Sequence, residues 1–203
     1  MLTAPGTNYV TGNNSVTFSW NALPSATYYD LLITSSTNSV TTTIPNISGT
    51  SHTYSFSTTV GAEEKFTWQV KAFNANYQTL NNTIRSLKID HNAPFNPLLS
   101  KPLHLSTVKD TSSFRWSYTN ATNDVKYDSI FIGVYPDSNF TSPIYRIVNR
   151  GLTINNSYSI SPTLSSPTNT LIPSSYYYWK VKSIDSVGNV SPASTTYKFK
   201  LMN

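Results

Sequence analysis

The second half of this chain repeats the first, and that constrains the fold more than any other feature. Val16-Thr17-Phe18-Ser19-Trp20 returns as Ser112-Ser113-Phe114-Arg115-Trp116, and Phe66-Thr67-Trp68-Gln69-Val70-Lys71-Ala72 returns as Tyr177-Tyr178-Trp179-Lys180-Val181-Lys182-Ser183. Leu2-Thr3-Ala4-Pro5 opens one copy and Leu99-Ser100-Lys101-Pro102 the other. The matching tryptophans lie about 96 residues apart early in each copy and about 111 apart late, so the second copy carries longer loops. A period near 100 residues exceeds the roughly 20–50 of a solenoid unit. It fits two tandem domains, each closed around its own core. The reading divides the chain at 1–91 and 92–203, with 92–97 as the linker.

Within each copy, apolar residues alternate with polar ones. Val16, Phe18 and Trp20 share a face, as do Tyr29, Leu31 and Ile33, and again Phe66, Trp68, Val70 and Ala72. In the second copy the sets are Phe114 and Trp116; Ile130, Ile132 and Val134; Tyr158 and Ile160; Tyr177, Trp179, Val181 and Ser183; and Tyr197, Phe199 and Leu201. Tyr127 falls out of phase with Ile130, and a bulge between them would reconcile the two. A period of two with one apolar face marks half-buried antiparallel strands. Turn clusters such as Thr11-Gly12-Asn13-Asn14, Ile44-Pro45-Asn46 and Gly61-Ala62-Glu63-Glu64 separate the runs. No amphipathic helix is expected. The fold class is all-β, two tandem antiparallel sandwiches. The linker Asp90-His91-Asn92-Ala93-Pro94-Phe95-Asn96-Pro97 is stiffened by its prolines. Phe95 there either packs between the domains or caps one core.

Composition narrows the function. Charged residues are 11% of the chain, against about 25% in ordinary domains. The net charge of +5 is dispersed. Lys180 and Lys182 alternate along one strand and Lys198 and Lys200 along another, pointing to solvent. Nucleic acid is not expected as a partner, because its recognition needs a concentrated basic patch. The lack of cysteine removes disulfides, thiolate metal sites and cysteine nucleophiles. No segment is apolar enough to span a membrane. Met1 runs at once into a strand-like segment, as in a mature or trimmed chain, which is compatible with a lipid anchor on a removed N-terminal segment.

The run Leu171-Ile172-Pro173-Ser174-Ser175-Tyr176-Tyr177-Tyr178-Trp179-Lys180-Val181-Lys182-Ser183 resembles the E–F corner and F strand of fibronectin type III domains, especially bacterial ones. Ile184-Asp185-Ser186-Val187-Gly188-Asn189-Val190-Ser191-Pro192 is similar to their F–G turn. The resemblance implies an immunoglobulin-like sandwich of seven strands in each half, with Trp20 and Trp116 in the cores. It makes Tyr177 the corner tyrosine, its hydroxyl bonded to upstream backbone. The first copy departs from the pattern. It has Phe66 at the corner and Phe73-Asn74-Ala75-Asn76-Tyr77-Gln78-Thr79-Leu80-Asn81-Asn82 in place of the turn.

Reactive constellations are scarce. His52, His91 and His104 are each read as solvated loop residues. Glu63-Glu64, read as a turn before a strand, Asp124 with Asp128, at the start of one, and Asp185 are the candidates for the paired acids that glycoside hydrolysis would need, and none is read as supporting that chemistry. Asp185 and Asn189 could chelate calcium, but an aspartate bonding backbone amides of its own turn is the stronger reading. No catalytic residue, metal or cofactor is assigned. The expected exposed rings are Tyr77, Phe140 and Tyr178, candidate platforms for the apolar face of a sugar. The expected function is a non-enzymatic interaction or spacer module of a bacterial cell-surface protein, extracellular or periplasmic. The alternative is a carbohydrate-binding module of a polysaccharide-utilisation system. The expected partner is a protein or glycan at the cell surface.

Overall fold

The computed structural model describes residues 2–74, 78–80, 83–109, 112–118, 125–143, 145–148, 157–160, 165–166 and 169–202. The chain divides into two compact units, Met1–Asn92 and Ala93–Asn203. All regular structure among the described residues is β.

The strands of the first unit are β1 (Leu2–Ala4), β2 (Tyr9–Thr11), β3 (Ser15–Trp20), β4 (Tyr28–Ser35), β5 (Thr41–Ile47), β6 (Ser51–Ser55), β7 (Glu63–Phe73), β8 (Gln78–Leu80) and β9 (Arg85–Asp90). They form one sheet in the order β1-β3-β6 and another in the order β2-β9-β7-β4-β5, with β8 also on β7. The second unit has β10 (Leu98–Lys101), β11 (Ser106–Val108), β12 (Phe114–Ser117), β13 (Val125–Val134), β14 (Tyr145–Val148), β15 (Ser157–Ile160), β16 (Ser165–Ser166), β17 (Asn169–Thr170), β18 (Tyr176–Asp185) and β19 (Tyr197–Leu201). Its sheets run β10-β12-β15 and β11-β19-β18-β13-β14, and β16 and β17 pair separately.

The alternation read from the sequence becomes two sandwich cores. Phe18, Trp20, Leu31, Trp68, Val70, Leu87 and Ile89 are buried together in the first unit. Phe114, Trp116, Ile130, Ile132, Trp179, Val181 and Phe199 are buried together in the second. Each such side chain contributes about 2 kcal/mol of apolar burial. The rings meet at tilted or edge-on angles, as Phe18 with Trp68 at 5.0 Å and 70° and Phe114 with Trp179 at 5.0 Å and 85°, which suits their quadrupoles. Phe95 packs into neither core and is 48% exposed.

Three details differ from the sequence reading. Each unit contains a parallel pair, β2 with β9 and β11 with β19. Pro5 and Pro102 lack the N–H that would extend β1 and β10, and the chain crosses to the other sheet after them. Glu63 and Glu64 do not sit in a turn but begin β7, pairing with Asp90 and Ile89. The irregularity in β13 lies between Val125 and Tyr127, not between Tyr127 and Ile130. It puts Val125 and Asp128 both in buried positions, three residues apart, where an unbroken strand would set them on opposite faces.

Candidate functional site

Inward positions of β18 are Tyr177, Trp179, Val181, Ser183 and Asp185, all buried. The alternation therefore sends Tyr176, Tyr178, Lys180 and Lys182 to the outer face of the sheet. On β19 the buried Phe199 and Leu201 send Lys198 and Lys200 the same way. Register then brings the two sets together. Tyr176 lies opposite Lys200, and Tyr178 lies opposite Lys198 on one side and Gly133 on the other. Tyr135, just past β13, donates its N–H to the Tyr176 carbonyl at 3.1 Å and joins the same face.

The phenol rings cluster. Tyr135 stands 5.8 Å from Tyr178 and 6.1 Å from Tyr176, centroid to centroid. Lys198 Nζ sits between two of them, 4.1 Å from the Tyr135 centroid and 4.4 Å from that of Tyr176. Lys200 Nζ is 5.7 Å from Tyr176. Lys180 Nζ covers the Phe140 ring at 4.1 Å. Partial burial, and then the like charge of Lys182, lower the Lys180 pKa from its ordinary value, with Asp137 opposing.

Of the three expected rings, Tyr178 is half-buried within this cluster. Phe140 is not an open platform: it is 8% exposed. The cause is on β13. A Cβ at Gly133 would lie 3.1 Å from Phe140 Cδ1 and 3.2 Å from the Asp137 carbonyl oxygen, so glycine lets the turn fold down and bury the ring. Tyr77 lies outside the described residues. Tyr135 and Tyr176 were missed, although Tyr176 alternates with Tyr178 in the sequence.

Several of the titratable groups are engaged within the fold. Asp137 accepts from Thr141 Oγ1 at 2.9 Å and from Ser142 N–H at 3.4 Å, and that bonding lowers its pKa. Glu63 lies 3.0 Å and Asp90 2.6 Å from Lys88 Nζ. Burial works against the Lys88 charge, but the bonds to Asp90 and Glu63 prevail and raise its pKa. Asp185 Oδ1 accepts the N–H groups of Val187, Gly188 and Asn189 at 2.9, 2.7 and 2.9 Å, and Asn189 Nδ2 donates to Oδ2 at 2.7 Å. That is the self-bonded turn, with Gly188 at φ +103°. Of the histidines, His91 Nε2 meets Asn14 Oδ1 at 3.1 Å and His104 Nδ1 accepts the Lys198 N–H at 3.1 Å, while His52 lies within β6. Among the described residues no group of three or more His, Asp or Glu is placed to hold a metal, and no helix is long and apolar enough to cross a membrane.

A buried polar cluster was not anticipated. Asp128 is 1% exposed. Its Oδ2 accepts from Trp116 Nε1 at 3.0 Å, and its Oδ1 from Ser183 Oγ at 2.7 Å and from the Tyr118 hydroxyl, which also meets Ser183 Oγ. Burial first, and then the charge and hydrogen bond of Asp128, push the Tyr118 hydroxyl far above the ordinary tyrosine range. Asp124 lies outside the described residues, so only Asp128 of that pair is placed, and it faces the core. The corner tyrosine stands as the resemblance implies: Tyr177 Oη accepts the Ile172 N–H at 2.6 Å and donates to the Ile172 carbonyl at 3.2 Å.

No protein-family model matches the chain, and no curated protein matches it in sequence. Solved structures are similar to it. The FN1–FN3 domains of chicken CNTN1 superpose on 100% of this chain and 67% of their own with a TM-score of 0.55 at 14% identity. A Fn3-like protein from Clostridium thermocellum is 28% identical, with a TM-score of 0.33 over 40% of this chain and 85% of its own. The fibronectin(III)-like modules of Clostridium thermocellum CbhA reach a TM-score of 0.40 at 9% identity, covering 100% of this chain and 93% of theirs. The first likeness establishes a shared fold.

Proposed function

We propose that this chain, a tandem of fibronectin type III folds, is a non-catalytic interaction and spacer module of a bacterial extracellular or periplasmic protein. The observation that supports this is where six of its seven described acids are engaged. The carboxyl groups of Asp30, Glu63, Asp90, Asp128, Asp137 and Asp185 all accept bonds or ion pairs from their own unit. A general acid or base must instead present its proton to a bound substrate. The low-charge surface and the F–G turn similar to those of bacterial domains agree with a structural role outside the cytoplasm. A panel of chromogenic glycoside and ester substrates tests the reading: no turnover is expected, and turnover abolished by Asp137→Asn or Glu63→Gln would overturn it.

The carbohydrate-binding alternative is favoured by one observation, the cluster of Tyr135, Tyr176 and Tyr178 on the outer face of the second unit. Phenol hydroxyls at that spacing suit a sugar chain laid across a sheet. Affinity-gel retardation by polysaccharides, lost in Tyr178→Ala, is the expected result if this reading holds. Retardation by no polysaccharide leaves the module a spacer or protein-binding surface.

A further inference from the structure

We propose that the outer face of β18 and β19 binds an acidic polysaccharide, one carrying carboxylate or sulfate groups, through Lys180, Lys182, Lys198 and Lys200 with Tyr135, Tyr176 and Tyr178. This rests on the carbohydrate-binding reading and names its ligand class.

Among the described residues, none of the four lysines makes an ion pair with a carboxylate. Lys198 and Lys200 are fixed by phenol rings, and Lys180 by Phe140. A ring quadrupole attracts an ammonium group without cancelling its charge. Lys180, Lys198 and Lys200 are thus positioned in advance of binding with no carboxylate to displace, which reduces the ordering cost of an incoming anion.

The first unit supplies the contrast. Lys65 lies opposite Lys88 there as Tyr176 lies opposite Lys200 here. Lys88, the counterpart of Lys200, is neutralised by Glu63 at 3.0 Å and Asp90 at 2.6 Å. In the second unit no acid occupies an outer position of β18 or β19. Asp137, in a neighbouring turn, opposes Lys180 but is engaged by Thr141 and Ser142.

Spacing and chemistry select the class. Lys198 and Lys200 are about 7 Å apart along one strand, and neighbouring strands about 4.8 Å apart, so the charges form a flat array rather than a pocket. A polymer with a regularly repeated charge matches an array. The phenol hydroxyls add donors and acceptors between the charges, which suit sugar hydroxyls. Single-stranded nucleic acid needs open ring faces for its bases, and Lys198 already lies over the faces of Tyr135 and Tyr176. A peptide more often adds to a sheet edge or fills an apolar groove, and this surface is neither.

Affinity electrophoresis of the full chain through gels containing polygalacturonate, dextran sulfate, neutral dextran or neutral xylan, at several salt concentrations, tests the proposal. Retardation by at least one of the two polyanions is expected, weakening as salt rises. Lys198→Ala with Lys200→Ala should weaken it about tenfold, and Tyr135→Ala, which removes one of the two rings that hold Lys198, by a smaller factor. Lys65→Ala with Lys71→Ala removes the same charge from the first unit and should leave it unchanged. Equal losses in the two lysine pairs would show attraction to net charge alone and overturn the proposal. So would tighter binding of an oligodeoxythymidine than of either polyanion, or retardation by xylan or dextran without salt dependence. The last result would spare the carbohydrate reading, whereas retardation by none of the four polysaccharides would end both.

Discussion

Register matches the cores of the two units position by position. Ile33 lies opposite Trp68 in the first and Ile132 opposite Trp179 in the second. Four residues earlier on the leading strand, Tyr29 lies opposite Ala72, and Asp128 opposite Ser183. Both pairs lie beside the first tryptophan of their unit. In the first unit Trp20 packs against the Tyr29 ring at 5.5 Å, and its Nε1 has no hydrogen-bond partner among the described residues. Tyr29 carries its hydroxyl to the edge of the core, where it accepts the Leu23 N–H at 2.9 Å. In the second unit the corresponding indole donates to Asp128, and Tyr118 and Ser183 bond the other carboxyl oxygen. One backbone thus carries two solutions at the same place. An aromatic filling tolerates an orphaned indole N–H. A carboxyl filling stands only with its whole complement of donors, because each buried polar group left alone costs about 1–3 kcal/mol.

The largest test of this contrast is Asp128→Ala. It removes the shared acceptor of three buried donors, Trp116 Nε1 and the Tyr118 and Ser183 hydroxyls, of which the last two still meet each other, and should destabilise the second unit by about 4 kcal/mol. In calorimetry of the whole chain the transition of the second unit should fall while that of the first stays. Moving both transitions, or neither, would break the comparison.

Tyr118→Phe should cost the second unit about 2 kcal/mol at neutral pH, measured by denaturant unfolding. It should also change the alkaline limb. The Tyr118 hydroxyl is held above its unfolded value, so its contribution is complete below about pH 10 and is lost as pH rises beyond that. Lys88 gives the first unit a loss of the same sign. The informative measurement is therefore variant against parent. The second unit of Tyr118→Phe should lose less stability between pH 10 and 12 than the parent does. An identical slope would mean the hydroxyl titrates freely.

Replacing the two indoles compares the units directly. Trp20→Phe and Trp116→Phe remove similar volume, but only the second removes a hydrogen bond to a carboxyl. Trp116→Phe should cost more, by about 1.5 kcal/mol. Equal costs would show that the Trp116 bond contributes nothing net.

Much of this architecture is legible in the sequence. Alternation located the inward faces of β3, β4, β7, β18 and β19, because a strand with one wet face must place its rings on the other. The corner role of Tyr177 and the self-bonded turn at Asp185 follow from short local patterns whose partners lie within a few residues. Asp128 was not legible. Its three partners come from β12, the residue after it, and β18, and the irregularity between Val125 and Tyr127 moves it onto the core face. No count along the chain locates such a bulge. Phe140 was misjudged for a related reason: the space that buries it is the missing side chain of Gly133, on a different element. The lysine and tyrosine face lay in between. Each strand's alternation was visible, but the pairing of Tyr176 with Lys200 and Tyr178 with Lys198 depends on a register the sequence does not state.

The smallest expected effect concerns the corner. Tyr177 and Phe66 occupy the same place, opposite Phe199 and Leu87 respectively. Tyr177 ties its hydroxyl to both the N–H and the carbonyl of Ile172, whereas Phe66 has no hydroxyl to offer. The ring of Tyr177 is 2% exposed and packs on Phe199 at 5.7 Å, so Tyr177→Phe keeps the packing and removes only the bonds. Ile172 is itself 65% exposed, and water can take over part of what the hydroxyl supplied. The loss should therefore be about 1 kcal/mol, at the low end for a paired hydroxyl, read as a small fall in the denaturant midpoint at unchanged slope. Hydrogen exchange should quicken at the Ile172 N–H without spreading to the Trp179 N–H in the core. A loss of several kcal/mol would mean that the corner organises the whole sandwich, and the first unit, which folds with Phe66, would then need a substitute elsewhere.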